Sequence, residues 1–172
     1  MTTTKWTVDT IHSLVQFKVK HLAISTVTGK FKVFQGEIFS EGENFSQADI
    51  LFIIDANSLD TGHPDRDGHL KAAEFFDTGN FPAITFRGTL EQDKLTGALT
   101  IREVTKNVTM DVEFGGVGRG RFGDIRAGFE VSGKINRKDF GLTWSLLTET
   151  GGLVVGEEVK LHFDIQLIKE KE

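Results

Sequence analysis

The sequence predicts an all-β domain, an eight-stranded antiparallel up-and-down barrel with one inserted α-helix around residues 66–77. Three observations carry that prediction. Segment after segment alternates apolar with polar residues, the period of a half-buried strand. Successive runs are joined by short turns, which gives an even count in hairpin order, and closing such a sheet leaves no unpaired edge. Only the stretch SLDTGHPDRDGHLKAAEFFDTGNFPAITF, Ser58 to Phe86, breaks the pattern.

A short strand around Trp6 to Val8 comes first. From Ser13 onward Val15, Phe17, Val19 and His21 alternate with Leu14, Gln16, Lys18 and Lys20, and the apolar set defines the inward parity. The next run sets Val27, Gly29, Phe31 and Val33 against Thr28, Lys30 and Lys32. The third strand, Asp49 to Ser58, turns Ile50, Phe52, Ile54 and Ala56 inward but carries Leu51 and Ile53 outward. An apolar outer patch calls for a cover, either the helix or the second subunit of a homodimer.

The helix is expected to begin at Asp65 or Asp67, as N-cap, and to end at Gly79 after about three turns. At 100° per residue Arg66, His69, Leu70, Ala73 and Phe76 share one face, opposite Asp67, Lys71 and Glu74. A cation and an imidazole on the apolar side mean either a satisfied network or a polar group aimed into a cavity. Pro82 then suits a strand start, and Ile84, Phe86 and Gly88 alternate with Thr85 and Arg87. A turn at Gln92-Asp93-Lys94 leads to Leu95, Gly97, Leu99 and Ile101, and then to Val108, Met110, Val112 and Phe114.

Gly118 to Gly123, GRGRFG, matches a dinucleotide fingerprint in form only. That fingerprint needs a helix behind it, whereas Arg126 to Ile135 alternates as a strand with Ala127, Phe129, Val131 and Gly133 inward. It reads as a flexible hairpin loop whose arginines could meet an anionic head group. Leu142 to Gly156, with Trp144, reads as a hairpin or lid. The last strand is the cleanest, with Val159, Leu161, Phe163, Ile165 and Leu167 against Lys160, His162, Asp164 and Gln166.

At 172 residues the chain suits a single domain spanning 1–172. It has no cysteine, hence no disulfide and no thiolate metal site. A net charge of -5 argues against a nucleic-acid partner. MTTTKWTVD lacks the features of a secretory leader and no run is long enough for a membrane helix. The expectation is a cytoplasmic protein without stable membrane insertion, or a periplasmic or secreted one if a leader was removed. A membrane barrel is disfavoured, because reversed parity would crowd Lys18, Lys20, Glu113, Lys160 and Asp164 into a lumen too narrow for a water channel.

The aromatic set is fifteen Phe, two Trp and no Tyr. Phe brings apolar area without a hydroxyl that needs a partner, so the interior suits hydrocarbon. The candidate ligand-binding residues are Phe17, Val19, His21, Phe31, Phe52, Ile54, Phe86, Leu99, Met110, Phe114, Phe129, Phe140, Trp144, Leu161 and Phe163. They either fill the barrel or line a sleeve. The five histidines lack metal-site spacing, so neither metal nor cofactor is expected. Asp9, His12 and Ser13 can be written as a triad, and Asp65, Asp67 and His69 as an acid–base cluster, but neither has a nucleophile elbow or an oxyanion hole. No catalytic residue is assigned and no enzyme is expected.

The order of motifs resembles the YceI-like, polyisoprenoid-binding family. The resemblance rests on Ser58 to Phe86, on WTVDTIHS running through FKVKHL to Gly29-Lys30-Phe31, on Ile135 to Leu142 (INRKDFGL), and on VGEEVKL. It covers nearly the whole chain. Ala98, Glu103 and Asn107 stand where that family commonly shows an acidic residue, Gly and Pro, so the hairpin near Glu103 is expected to differ. The resemblance implies a lipocalin-like barrel, bacterial relatives, and a lumen that carries or stores an isoprenoid or another long lipid-like molecule. Arg137 and the Arg66–Asp67 pair are expected to anchor the helical insertion, or else one arginine meets a ligand head group. The alternatives are a small barrel enzyme or redox-cofactor holder, and a filled barrel that serves assembly.

Overall fold

The computed structural model describes residues 3–22, 24–142 and 155–171. Its strands are β1 (Thr3–Val8), β2 (Leu14–His21), β3 (Ser25–Phe31), β4 (Phe34–Glu41), β5 (Asn44–Asp55), β6 (Leu59–Asp60), β7 (Ala83–Glu91), β8 (Lys94–Ile101), β9 (Val104–Arg119), β10 (Ile125–Asn136) and β11 (Val155–Lys169). All pairings are antiparallel, and the order β1–β4–β5–β7–β8–β9–β10–β11 closes because β11 returns to β1. The predicted eight-stranded barrel is present, with additional strands beside it.

β11 serves two neighbours on one side. Its residues 167–169 pair with β1, while residues 155–164 pair with β2. β1 and β2 therefore lie end to end along it, and β2, β3 and β6 continue the sheet outward. The connection 9–13 sits at this seam. Asp9 N–H donates to the Gln166 carbonyl at 2.8 Å, and Gln166 N–H donates to Ser13 Oγ at 2.9 Å, so both sides of the kink are tied to one β11 residue.

β4 has no counterpart among the predicted strands. Its inward positions are Phe34, Gly36, Ile38 and Ser40, all buried. Two of the four are small or polar, which weakens the alternation. Gly36 is required there, since a Cβ would lie 2.7 Å from Val8 Cγ2 and 2.8 Å from Phe52 Cδ2. Ser40 accepts the Trp6 indole N–H at 2.8 Å, which lets that indole be fully buried. The third predicted strand starts earlier than expected, at Asn44, and ends at Asp55 in a 3₁₀ turn over Ala56–Ser58.

Leu51 and Ile53 do face outward. They are half-buried between Glu37 and Gln35 of β4 and Arg87 and Thr85 of β7. The helix does not lie over them, because α1 (Pro64–Lys71) packs beside β6.

α1 is also shorter than predicted. It starts with Pro64 in the first turn, capped by His63 Nδ1, which accepts the Arg66 N–H at 3.3 Å, and it ends where Ala72 turns extended. Asp67 is not the cap; its carboxylate accepts from Thr61 N–H and Thr61 Oγ1. None of its residues is buried and Gly68 sits mid-helix, so little favours a third turn. Residues 72–82 continue as turns that carry Phe75 and Phe76 back to the barrel. The glycine-rich run differs too. β9 extends through it to Arg119, leaving only residues 120–124 as the turn, closed by Gly120 N–H to the Asp124 carbonyl at 2.7 Å.

The barrel thus has two unlike ends. One bears the β4–β5 and β7–β8 turns and the β9–β10 hairpin. The other bears α1 with residues 72–82, the β8–β9 turn and a 3₁₀ turn, Arg137–Phe140. At this second end Arg102 donates to the Phe75 carbonyl at 3.2 Å and lies 5.6 Å from the Phe81 ring centroid, which holds the helical insertion down.

Candidate ligand-binding site

The inward parity of the strands builds a lumen of two lobes, each with a cavity volume of about 110 Å³. One water centre needs ~10–15 Å³, so the barrel is hollow and not filled by its own side chains. The first lobe is walled by Val8, Ile38, Phe45, Ala48, Ile50, Phe52, Phe86, Leu90, Leu95, Met110, Val112, Phe129, Val131, Ile165 and Leu167. Thr85 is the one polar residue in that wall. The second lobe is walled by Val15, Phe17, Val19, Phe31, Leu70, Phe75, Phe76, Ile101, Ile135, Leu142, Val155 and Val159, with Gln16 and Arg137. Ile54, Ile84, Leu99, Leu161 and Phe163 belong to both walls. They form a waist between the two lobes.

Phenylalanines organise both lobes. Phe52 stacks between Phe34 at 5.8 Å and Phe163 at 6.5 Å, and Phe31 stands between Phe17 at 5.6 Å and Phe76 at 6.0 Å. At the hairpin end Phe45, Phe114 and Phe129 meet mutually at 4.9–5.7 Å. A water in these lobes finds few polar partners, whereas a hydrocarbon chain gains contact with every wall.

Phe17, Val19, Phe31, Phe52, Ile54, Phe86, Leu99, Met110, Phe129, Leu161 and Phe163 line the lumen, as their parity requires. Three other candidates do not. His21 has the inward parity but lies half-buried at the last position of β2, outside both walls although its β11 partner Val155 lines the second lobe. Phe114 is 51% exposed, because β9 there runs beyond its partner β8. Phe140 is fully buried in the 3₁₀ turn under β9, β10 and β11, as core and not wall. Trp144 lies outside the described residues, as does most of the hairpin or lid predicted around it.

Several wall residues had no sequence signal. Phe75 comes from a turn with no period, while Phe76, marked by the helical period, reaches the wall from a turn and not from a helix; Phe45 and Ala48 lie on opposite parities because Gln47, at φ 64°, puts an irregularity between them. Arg137 is the polar group of the second lobe and is 3% exposed. Its guanidinium donates to the carbonyls of Leu142 at 2.7 Å, Gly156 at 2.9 Å and Val155 at 3.2 Å, with the Phe75 ring centroid 6.0 Å away. Burial pulls its pKa down, partly offset by the charge of Glu157. Arg137 thus ties β11 to the 3₁₀ turn. Arg66 instead grips Thr61, donating to its Oγ1 and its carbonyl, each at 2.7 Å.

The other polar candidates assemble away from the lumen. Asp9 accepts from Arg126 and from the Ile11 N–H at 3.0 Å, and its carboxylate lies 2.7 Å from His12 Nδ1. Ser13 is bonded to Gln166 and not to His12, so the three residues make no relay. Burial pushes the Asp9 carboxyl up, but hydrogen bonds from His12, Arg126 and Ile11 and the charge of His12 outweigh it and hold the pKa at about 2. His69 is exposed, 3.6 Å from Glu74. Among the described residues no cluster of three or more His, Asp or Glu side chains is placed to hold a metal ion.

The barrel has known counterparts. Residues 6–167 match the family model of the YceI-like domain. A UPF0312 protein of Staphylococcus epidermidis is 38% identical over 161 residues, which cover 92% of this chain and 94% of that protein. The crystal structure of the Campylobacter jejuni YCEI protein superposes with a TM-score of 0.70 at 34% identity, covering 89% of this chain and 90% of that one. A Saccharophagus degradans structure described as a polyisoprenoid binding domain superposes with a TM-score of 0.73 at 17% identity, covering 96% of this chain and 98% of that one. With the family model spanning the barrel from Trp6 to Leu167 and the staphylococcal relative aligned across nearly its full length, the chain belongs to the YceI-like family.

Proposed function

We propose that the protein sequesters or carries one long, flexible apolar molecule in its lumen: a polyisoprenoid, an isoprenoid quinone or a fatty acyl derivative. The observation that carries this reading is the pair of apolar lobes joined at the waist of Ile54, Ile84, Leu99, Leu161 and Phe163. A compact ligand would need only one lobe, while a chain threaded through the waist would bury itself along both. Each Å² of apolar ligand surface removed from water contributes ~25 cal/mol, offset by the entropy of ordering the chain. Membership of the YceI-like family, and a solved relative of the same fold described as polyisoprenoid-binding, support this choice of ligand class.

The test is organic extraction of the purified protein followed by mass spectrometry, with native mass spectrometry of the unextracted sample. One apolar chain per barrel is expected, and its re-addition should raise the melting temperature. Leu99→Trp narrows the waist and should remove the bound chain, at a cost in stability of about 1–3 kcal/mol. Ligand retained at full occupancy in Leu99→Trp, or a wild-type protein that is empty and unmoved by added lipid, would sink the reading.

A further inference from the structure

We infer that the tip of the β9–β10 hairpin docks the barrel on an anionic lipid bilayer, an inference that extends the carrier reading to the place where cargo is exchanged. β9 pairs with β8 only as far as Asp111, opposite Lys94. Its remaining residues run on to Arg119 beyond the end of β8, paired only with β10, and return through the turn 120–124. The turn is held in a fixed shape. Gly120 and Gly123 N–H groups close it, Asp124 pairs with Arg126, and Gly123 takes φ 84°.

What this tip presents is both apolar and cationic. Phe122 is 90% exposed and Val117 and Phe114 are also exposed, a grouping that marks a contact surface. Arg119 and Arg121 are exposed, neither forms an ion pair among the described residues, and the Arg121 guanidinium lies 5.6 Å from the Phe122 ring centroid. An aromatic ring flanked by arginines suits an interface where apolar chains begin below anionic phosphates.

Two further features select a bilayer as the partner. The apolar surface is continuous with the lumen, since Phe114 touches Phe129 and Phe45, both of which line the first lobe. A chain that reaches Phe114 from the tip therefore meets aromatic surface from there into the first lobe. The neighbouring turns of the same barrel end carry exposed Glu41, Glu43, Glu91 and Asp93, against an overall charge of -5. They hold the rest of that end away from anionic phosphates, so contact is confined to the tip, peripheral and reversible.

Flotation of the full chain with vesicles provides the test, using phosphatidylcholine alone and phosphatidylcholine mixed with phosphatidylglycerol. Wild-type protein should float with the mixed vesicles and be released by high salt. Arg119→Glu with Arg121→Glu should weaken this by about tenfold or more, Phe122→Ser should weaken it as well, and a control reversal at exposed Lys106 and Lys134 should not. No flotation of the wild type, equal binding to both vesicle types, or unchanged binding in the Arg119/Arg121 variant would overturn the inference. Extraction of the same samples separates it from the carrier reading. A chain that carries ligand but never floats sinks only the docking, and an empty chain that floats with this charge dependence sinks only the carrier.

Discussion

Asp9 is the residue on which the seam between β1 and β2 depends. Its carboxylate is 9% exposed and is held at a pKa of about 2, against an ordinary value of 3.8. A carboxyl whose folded value lies below its unfolded value adds stability above the unfolded pKa and loses it as pH falls through the folded one. The contribution is about 2 kcal/mol at neutral pH, lost between pH 4 and pH 2. Asp9→Asn should therefore be less stable than wild type by about that amount at pH 7, and the gap should close by pH 2. Urea unfolding at both values checks it, and an unchanged gap would refute the ion-pair account. This role was not legible in the sequence. Asp9, His12 and Ser13 look alike as a triad and as a kink; what separates the two is Gln166 and Arg126, which the fold brings from far along the chain.

At the scale of single elements, alternation was readable wherever large apolar side chains supply the inward positions, as in β2 and β11. It failed in β4, where Gly36 and Ser40 take those positions to make room for Phe52 and Trp6. The helix failed at its end, because residues beyond Lys71 are turns; the helical period marked Phe76 but missed Phe75, which packs beside it. Arg137 was expected to anchor the helical insertion but ties β11 to the 3₁₀ turn, since its partners are backbone carbonyls and carbonyls leave no trace in residue identity. The β7–β8 hairpin offers a test of close approach. A Cβ on Gly97 would lie 2.1 Å from the Arg87 carbonyl oxygen and 2.4 Å from Gly88 Cα, both backbone atoms. Gly97→Ala should force the strands apart and cost about 2 kcal/mol or more. Gly68→Ala, in the exposed middle of α1 with open space around it, should instead stabilise by about 0.5–1 kcal/mol. Thermal melts of the pair would decide, and equal effects would contradict the packing described for Gly97.

For the whole molecule, closure governs both stability and cargo space. The ring is completed by Trp6 against Lys169, partners from opposite ends of the sequence. Such pairing must overcome the entropy of closing a long loop before any contact rewards it, which places folding in the millisecond-to-second range of high-contact-order β proteins. In a Trp144→Phe chain the remaining indole reports directly on closure. Stopped-flow refolding should bury Trp6 in the slowest phase, and burial complete within the mixing dead time would argue that β1 and β11 join early. The same topology exposes a weakness during biosynthesis. Because one strand, β11, completes both the β1 lane and the β2 lane, a nascent polypeptide still lacking residues 155–169 has neither seam shut, and its phenylalanine-rich interior stands open to chaperones and proteases. Quality control would recognise a finished barrel by the arrival of that strand alone.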